Sequence, residues 1–199
     1  MTVVAGIASA GGIILGADSF ASGSDVGFTL AGPKVVELMV HAPAPGAIVK
    51  RTLKLLIGAS GAPRIASTLK HLVTPPVYDD PSEDPERYVL RLIDVIRDVA
   101  RARGLIMVRD GQEKLDGRLL IGFKGRLFVV SDDYDLLEPK NGMAAIGCAD
   151  SVTLAAMLAF HRSGAHHDRY DVLQCALEVA AELDIHVRGP FAFVTDGEP

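Results

Sequence analysis

The chain has 199 residues, of which 49% are hydrophobic and 23% are charged, so it has ample apolar material for a globular core. Its net charge of −5 at pH 7 argues against nucleic acid as a partner. No apolar stretch approaches the roughly 20 residues of a membrane-spanning helix, and no basic region typical of a signal peptide precedes the first apolar segment. We therefore expect a soluble, cytoplasmic protein without a membrane partner, in which Cys148 and Cys175 are reduced thiols.

Two short apolar segments rich in Val and Ile open the chain. Residues 3–8 and 13–17 are hydrophobic almost throughout, which is typical of strands that are covered on both faces. Gly11 and Gly12 lie between them and predict a tight hairpin turn. The sequence therefore begins with a predicted antiparallel pair of buried strands.

The rest of the chain alternates groups of strands with pairs of helices. Further strands are predicted at 34–40, 52–58, 105–109, 117–123, 126–131, 142–147 and 191–195. Helices are predicted at 62–72, 85–103, from 147–150 to about 162, and at about 169–184. Because βαβ alternation is absent, we expect two sheets packed face to face with a helix pair outside each, in one α+β domain over 1–199.

The clearest single element is the helix that follows the loop at 74–85. Asp84 is a good N-cap, Pro85 fits the first helical position, and Glu86 suits the positive end of the helix dipole. Apolar residues then recur every three or four positions until Gly104, which can end the helix.

Three residues near the start have types that fit one chemistry. Thr2, Asp18 and Lys34 are each sixteen positions apart (18 − 2 and 34 − 18). A small residue at position 2 favours removal of Met1, and the freed α-amine, with a reference pKa of about 8, can act as general base for the Thr2 hydroxyl. A nearby Lys34 ammonium lowers the pKa of that amine, and Asp18 orients the lysine. The spacing leaves two alternatives open: an ordinary Asp18–Lys34 ion pair, and Thr2 as an edge-strand residue.

The segments TVVAGIASAGGIILGADSFAS and GPKVVEL resemble the start of proteasome β subunits and their bacterial relatives, including the HslV peptidase. These proteins are threonine-type N-terminal-nucleophile (Ntn) hydrolases, and Thr2, Asp18 and Lys34 match their nucleophile, aspartate and lysine. The resemblance implies a four-layer αββα fold and a threonine endopeptidase that acts on peptides or unfolded proteins. It also implies a homo-oligomeric ring, an ATPase partner, and chemistry that needs no metal or organic cofactor.

Looser matches extend the predicted site. In the family, a glycine-containing loop supplies a backbone N–H to the oxyanion hole, and LLIGASGAPRIAS is the counterpart here, with Ser60 or Gly61 as the donor. An equally open alternative is that Gly61 merely permits a turn. Asp184 matches an aspartate that the family has near its C-terminus.

The supporting positions depart from the family pattern. Cys148 stands where the family has an active-site serine, Val187 stands where it has a second serine, and Arg188 replaces a glycine. A thiol is a poorer hydrogen-bond donor than a hydroxyl, so Cys148 is also explained as a helix-starting core residue. The support that these serines give to the active site of the family is here either supplied by other groups, such as His186, or absent.

Other polar clusters are better explained as loops. His166 and His167 lack the spacing of a standard metal site and fit a solvated loop between helices. The acidic segment 132–135 lacks the glycine and distal glutamate of a calcium loop and predicts a hairpin turn.

Two other functions remain open for this sequence. The first is a structural or regulatory subunit of proteasome-like fold without activity, consistent with Cys148 and Val187 at the supporting positions. The second is an Ntn amidohydrolase that acts on a small amide rather than on a peptide.

Overall fold

The computed structural model describes residues 2–22, 27–30, 32–42, 51–80, 82–163 and 168–197. Within these ranges the chain forms thirteen strands and four helices. The strands are β1 (Val3–Ser9), β2 (Gly12–Asp18), β3 (Phe20–Ser22), β4 (Gly27–Thr29), β5 (Val35–Ala42), β6 (Arg51–Gly61), β7 (Ile106–Arg109), β8 (Gln112–Leu115), β9 (Gly117–Phe123), β10 (Arg126–Val130), β11 (Leu136–Leu137), β12 (Met143–Gly147) and β13 (Phe191–Thr195). The helices are α1 (Arg64–Leu72), α2 (Pro85–Ala102), α3 (Asp150–Arg162) and α4 (Arg169–Leu183).

Two antiparallel sheets form the centre of the fold. One has the strand order β12-β1-β2-β13, and the other has the order β11-β10-β9-β6-β5. Two smaller pairs, β3 with β4 and β7 with β8, lie outside these sheets. Both chain ends therefore meet in the four-stranded sheet, where β13 pairs with β2.

Three apolar layers hold four layers of secondary structure together. Val4 and Leu56 belong to the cluster between the two sheets, which explains why the strands are apolar on both faces. Val3 points the other way, into the cluster that includes Leu173 of α4, and Ile57 packs with Leu92 of α2 on the outside of the other sheet. The prediction of an α+β, four-layer αββα sandwich is confirmed.

The two sheets approach each other closely beside the start of β1. A Cβ atom on Gly58 of β6 would lie 2.4 Å from Cγ1 of Val4, so only glycine fits there without displacement. This contact places the C-terminal end of β6 against the beginning of the chain.

The first hairpin is confirmed, but its turn is not at the predicted residues. Ser9 pairs with Gly12, so the two turn residues are Ala10 and Gly11, and Gly12 is the first residue of β2. The prediction that Gly11 and Gly12 form the turn was wrong by one position. Gly12 has a φ of +103°, so the bend requires its conformational freedom at the point where β2 begins.

The predicted start of α2 is confirmed in detail. The Asp84 carboxylate accepts a hydrogen bond from the Glu86 N–H at 2.8 Å, and Pro85 occupies the first turn. Gly104 follows the helix with a φ of +63°, as expected for a residue that ends a helix. The other predicted helices agree with the structure to within one to three residues.

The structure adds short strands that the sequence pattern did not predict. They are β3, β4, β8 and β11. None has more than four residues, and β8 has the largely polar sequence QEKL. Such segments lack the run of apolar or alternating residues on which strand prediction depends.

Two minor predictions have different outcomes. The segment 132–135 joins β10 to β11 through a turn closed by the Ser131 N–H and the Asp135 carbonyl at 3.0 Å, so the expected hairpin turn is confirmed. The histidines at 166 and 167 lie outside the described residues. Across the ranges that the structure describes, no helix is long and apolar enough to cross a membrane.

Candidate active site

The ends of β1 and β2 and the residue before β5 create one buried polar cluster. Antiparallel pairing of Val4 with Ala17 brings the start of β1 to the end of β2, so Thr2 and Asp18 meet. Lys34 immediately precedes β5 and reaches the same point from the opposite sheet. The predicted trio is therefore brought together.

Asp18 is the centre of this cluster. Its Oδ1 accepts hydrogen bonds from Thr2 Oγ1 at 3.3 Å, from the Val3 N–H at 2.9 Å and from Lys34 Nζ at 2.8 Å. Its Oδ2 accepts from the Phe20 N–H at 3.1 Å and from Lys34 Nζ at 2.9 Å. The Asp18–Lys34 ion pair thus exists, and the Thr2 hydroxyl contacts it.

Lys34 is held by more than its carboxylate partner. Its Nζ donates to the Phe20 carbonyl at 2.5 Å, and its own carbonyl accepts the Ala59 N–H at 3.0 Å. Burial lowers the pKa of Lys34 below the usual range of a lysine, while the charge of Asp18 acts in the opposite direction. Thr2, Asp18 and Lys34 are 5%, 0% and 6% exposed, so their interactions are largely screened from water.

The end of β12 covers the other side of Thr2. The Thr2 carbonyl accepts the Cys148 N–H at 2.8 Å and lies 3.4 Å from Cys148 Sγ. Gly147 has a φ of +114°, and a Cβ atom there would lie 2.0 Å from the Thr2 carbonyl oxygen. Only glycine permits this approach, which explains the glycine before the cysteine.

The predicted residue Asp184 lies near Cys148. Asp184 follows α4, and its Oδ1 accepts the His186 N–H at 2.9 Å. Partial burial, together with the nearby Asp184 carboxylate, raises the pKa of the Cys148 thiol.

Of the two residues that were predicted to supply the oxyanion donor, only one lines the pocket beside Thr2. Gly61 lines the pocket together with Thr2 and Lys34, whereas Ser60 is buried in β6 and is not among the lining residues. Gly61 has a φ of +109°, and a Cβ atom there would lie 2.3 Å from the Asp116 carbonyl oxygen. The turn therefore requires this glycine, and its position at the pocket is compatible with both alternatives.

The apolar lining of the pocket consists of four alanines, one leucine and one proline. Its members are Ala21, Leu30, Ala59, Ala62, Pro63 and Ala66. The described part of the chain contains no group of three or more His, Cys, Asp or Glu side chains arranged to hold a metal ion.

Val187 and Arg188 differ from the family pattern, as the sequence indicated. Val187 is 0% exposed and packs with the apolar cluster under α3 and α4. The Arg188 carbonyl accepts the Ser19 N–H at 3.3 Å. The sequence analysis did not predict two contacts in the site. The first is the Phe20 carbonyl that accepts a hydrogen bond from Lys34 Nζ, for which the sequence carries no signal. The second is the close approach of Gly147 to the Thr2 carbonyl, which the presence of a glycine could have indicated.

Comparison with known proteins identifies a sequence relative. The chain is similar to the ATP-dependent protease subunit HslV of Listeria welshimeri, with 35% identity over 71 residues that cover 35% of this chain and 40% of that protein. The chain thus spans about 40% of the length of the curated relatives it matches. No protein-family model matches it.

Solved structures resemble the chain over almost its whole length. BPH of Thiobacillus denitrificans in complex with epoxomicin has a TM-score of 0.75 at 17% identity and covers 100% of both chains. Eukaryotic HslV of Trypanosoma brucei has a TM-score of 0.65 at 13% identity, covering 99% of this chain and 100% of that chain. A helical assembly of the Anbu complex of Pseudomonas aeruginosa has a TM-score of 0.64 at 13% identity, covering 98% and 81%. These findings confirm the proteasome-like Ntn fold and the resemblance to the HslV-like family.

Proposed function

We propose that the chain is a threonine-type peptidase subunit that hydrolyses peptide bonds with Thr2 as its nucleophile after Met1 is removed. The observation that carries the proposal is the contact of the Thr2 hydroxyl with an aspartate that is ion-paired to a buried lysine, at the edge of a pocket. The HslV resemblance supports the same class of reaction.

In the proposed reaction, removal of Met1 gives Thr2 a free α-amine. The amine takes the proton of Oγ1, directly or through a water, as Oγ1 attacks the scissile carbonyl. Lys34 holds positive charge near the amine and keeps its pKa low, and Asp18 fixes the lysine. The Gly61 N–H is the better placed of the two predicted oxyanion donors, because Gly61 lines the pocket. The tetrahedral intermediate then collapses with cleavage of the scissile C–N bond, the α-ammonium gives its proton to the departing amine, and Thr2 Oγ1 keeps the acyl group as an ester. A water that gives a proton to the α-amine hydrolyses this ester, which frees the acid product and restores the Thr2 hydroxyl.

The proposed substrates are peptides or unfolded proteins. The small apolar lining of the pocket favours a small or apolar side chain beside the scissile bond. As part of the same proposal, the chain works in a homo-oligomeric assembly that encloses its sites and receives substrate from an ATPase partner.

Intact mass and peptide hydrolysis test the proposal together. The protein purified from cells should lack Met1, and it should cleave fluorogenic peptides that have a small apolar residue before the reporter. Thr2→Ala should abolish cleavage, whereas Thr2→Ser should keep part of it because a hydroxyl remains. Cleavage that survives in Thr2→Ala, or a retained Met1 in active protein, would rule out Thr2 as the nucleophile.

Epoxomicin gives a second readout that does not depend on the choice of peptide. The structural neighbour BPH was solved in complex with this compound. We expect epoxomicin to raise the melting temperature of the wild-type chain but not that of Thr2→Ala.

A subunit without activity is the second candidate function. The observation that favours it is Val187, which is fully buried and apolar where the family has a serine. A wild-type protein that lacks Met1 and assembles, yet neither cleaves peptides nor responds to epoxomicin, would support this candidate.

A further inference from the structure

Arg188 is an exposed cation beside the candidate active site. Its carbonyl accepts the Ser19 N–H at 3.3 Å, and its guanidinium carbon lies 5.0 Å from the centre of the Phe20 ring. Phe20 is also the residue whose carbonyl accepts the Lys34 ammonium, and its neighbour Ala21 lines the pocket. Arg188 therefore lies against the strand β3, which forms one wall of the pocket.

The charge of Arg188 has no carboxylate partner within 4.0 Å among the residues that the structure describes. The two carboxylates of the site are engaged elsewhere: Asp18 binds Lys34, and Asp184 accepts the His186 N–H. A guanidinium that stacks on an aromatic ring and has no carboxylate partner among the described residues is oriented without being neutralised by them. It remains available to bind an incoming anion.

We propose that Arg188 is a specificity-determining residue that favours peptides with an acidic side chain close to the scissile bond. This inference rests on the proposed peptidase function and adds a substrate class to it. A guanidinium binds a carboxylate through two parallel N–H donors, which a lysine cannot reproduce. The pocket beside Thr2 and the guanidinium of Arg188, which packs against β3, would then recognise two different side chains of one peptide.

A matched set of peptides tests the preference. Each peptide keeps alanine before the scissile bond and carries Glu, Gln or Lys at one of the neighbouring positions, scanned in turn. At one position we expect wild-type kcat/KM to be about two- to fivefold higher for Glu than for Lys, the size of effect typical of an exposed ion pair. The preference should shrink in 0.5 M NaCl because salt screens exposed charges.

Three variants assign the preference to one side chain. Arg188→Ala should bring the ratio of kcat/KM for the Glu peptide to kcat/KM for the Lys peptide to about one, and Arg188→Glu should invert this ratio. The matched control is Arg162→Glu, an exposed arginine at the far end of α3, which should keep the wild-type ratio. A ratio in Arg188→Glu equal to that of wild type would overturn the proposal, while cleavage by both proteins would leave the peptidase function in place.

Binding separates failure of this inference from failure of the peptidase function. Fluorescence anisotropy with the same peptides, labelled, is measured on Thr2→Ala and on Thr2→Ala combined with Arg188→Glu. Tighter binding of the Glu peptide that disappears in the double variant supports the role of Arg188 even if wild type cleaves nothing. Equal affinity of Thr2→Ala for the Glu and Lys peptides would overturn it.

Discussion

Asp18 carries most of the contacts that define the candidate site. Its two oxygens accept hydrogen bonds from two backbone N–H groups, the Thr2 hydroxyl and the Lys34 ammonium, and the residue is fully buried. A buried carboxylate is tolerated because the lysine balances its charge. The same pair therefore serves stability and the proposed chemistry, and the two roles are separable by experiment.

Removing the lysine should destabilise the fold strongly. We expect Lys34→Met to lower the free energy of unfolding by about 3–5 kcal/mol, because it leaves the Asp18 carboxylate buried without a counter-charge. Urea denaturation followed by circular dichroism measures the change.

The double variant provides the control for this prediction. Asp18→Asn combined with Lys34→Met removes both charges, so its cost should be clearly smaller than the sum of the two single costs. Full additivity would show that the two side chains are not energetically coupled. Peptide cleavage should be absent in all three variants, whatever their stability.

Cys148 should react slowly with alkylating agents although it is exposed. Only the thiolate reacts, and because partial desolvation of the sulfur and the nearby Asp184 carboxylate raise its pKa, the thiolate fraction at pH 8 is small. Asp184→Asn removes the neighbouring negative charge and lowers the pKa, so the reaction at pH 8 should become several-fold faster.

Iodoacetamide rates measured from pH 7 to 10 test this expectation, in a Cys175→Ser background that leaves one thiol. The midpoint of the rate profile should move to lower pH in Asp184→Asn. Profiles that superimpose would contradict the interaction between Cys148 and Asp184.

At the scale of elements, the first hairpin sets the distance between Thr2 and Asp18. Its bend depends on Gly12, whose φ is +103° and whose added Cβ would lie 2.6 Å from Asp196 Oδ1. Gly12→Ala should therefore lower the free energy of unfolding by about 1–3 kcal/mol. Thermal or urea denaturation measures the loss.

The neighbouring glycine is the matched control. A Cβ atom on Gly11 would meet only the end of the Arg169 side chain, at 3.0 Å, and that side chain can move. Gly11→Ala should cost less than Gly12→Ala. The reverse order would indicate that the turn lies at Gly11 and Gly12, as the sequence alone suggested.

The sequence patterns predicted those strands and helices whose own residues already match the burial or capping that they have in the fold. β1 and β2 are apolar because they are buried, and α2 carries its own cap in Asp84. The short strands, such as β8, are set by pairing with a neighbour rather than by their own residues, so their sequences give no signal.

The features of the candidate site also divide into those that the sequence predicted and those that depend on tertiary packing. Thr2, Asp18 and Lys34 were predicted from their match to the family's nucleophile, aspartate and lysine, since their spacing alone left an ordinary Asp18–Lys34 ion pair open. The position of Asp184 near Cys148 was not predictable from spacing, since it depends on how the end of α4 packs against β12. Likewise, the separation of Gly61 from Ser60 at the pocket depends on which way each residue of β6 faces.

At the scale of the whole molecule, the outer helices leave apolar side chains uncovered. Leu72 of α1, Leu90 of α2 and Leu183 of α4 are 42%, 48% and 71% exposed. Single exposed leucines are ordinary on a protein surface. Because these leucines lie on helices, we propose that helix surfaces make the contacts between subunits in the assembly, and Leu90 is a suitable residue to test this.

We expect the wild-type chain to form an assembly of several copies at micromolar concentration, measured by size-exclusion chromatography with light scattering. Leu90→Asp should shift the population towards a single chain, because it buries a charge in a helix contact. Val108→Asp changes an apolar residue on β7, outside the helices, that is even more exposed than Leu90, and it should leave the mass unchanged. Electron microscopy then distinguishes a closed ring, in which the subunit rotation closes, from an open helical assembly, in which it does not. A wild-type protein with the mass of one chain would contradict the proposed assembly, and with it the confinement of proteolysis inside a ring.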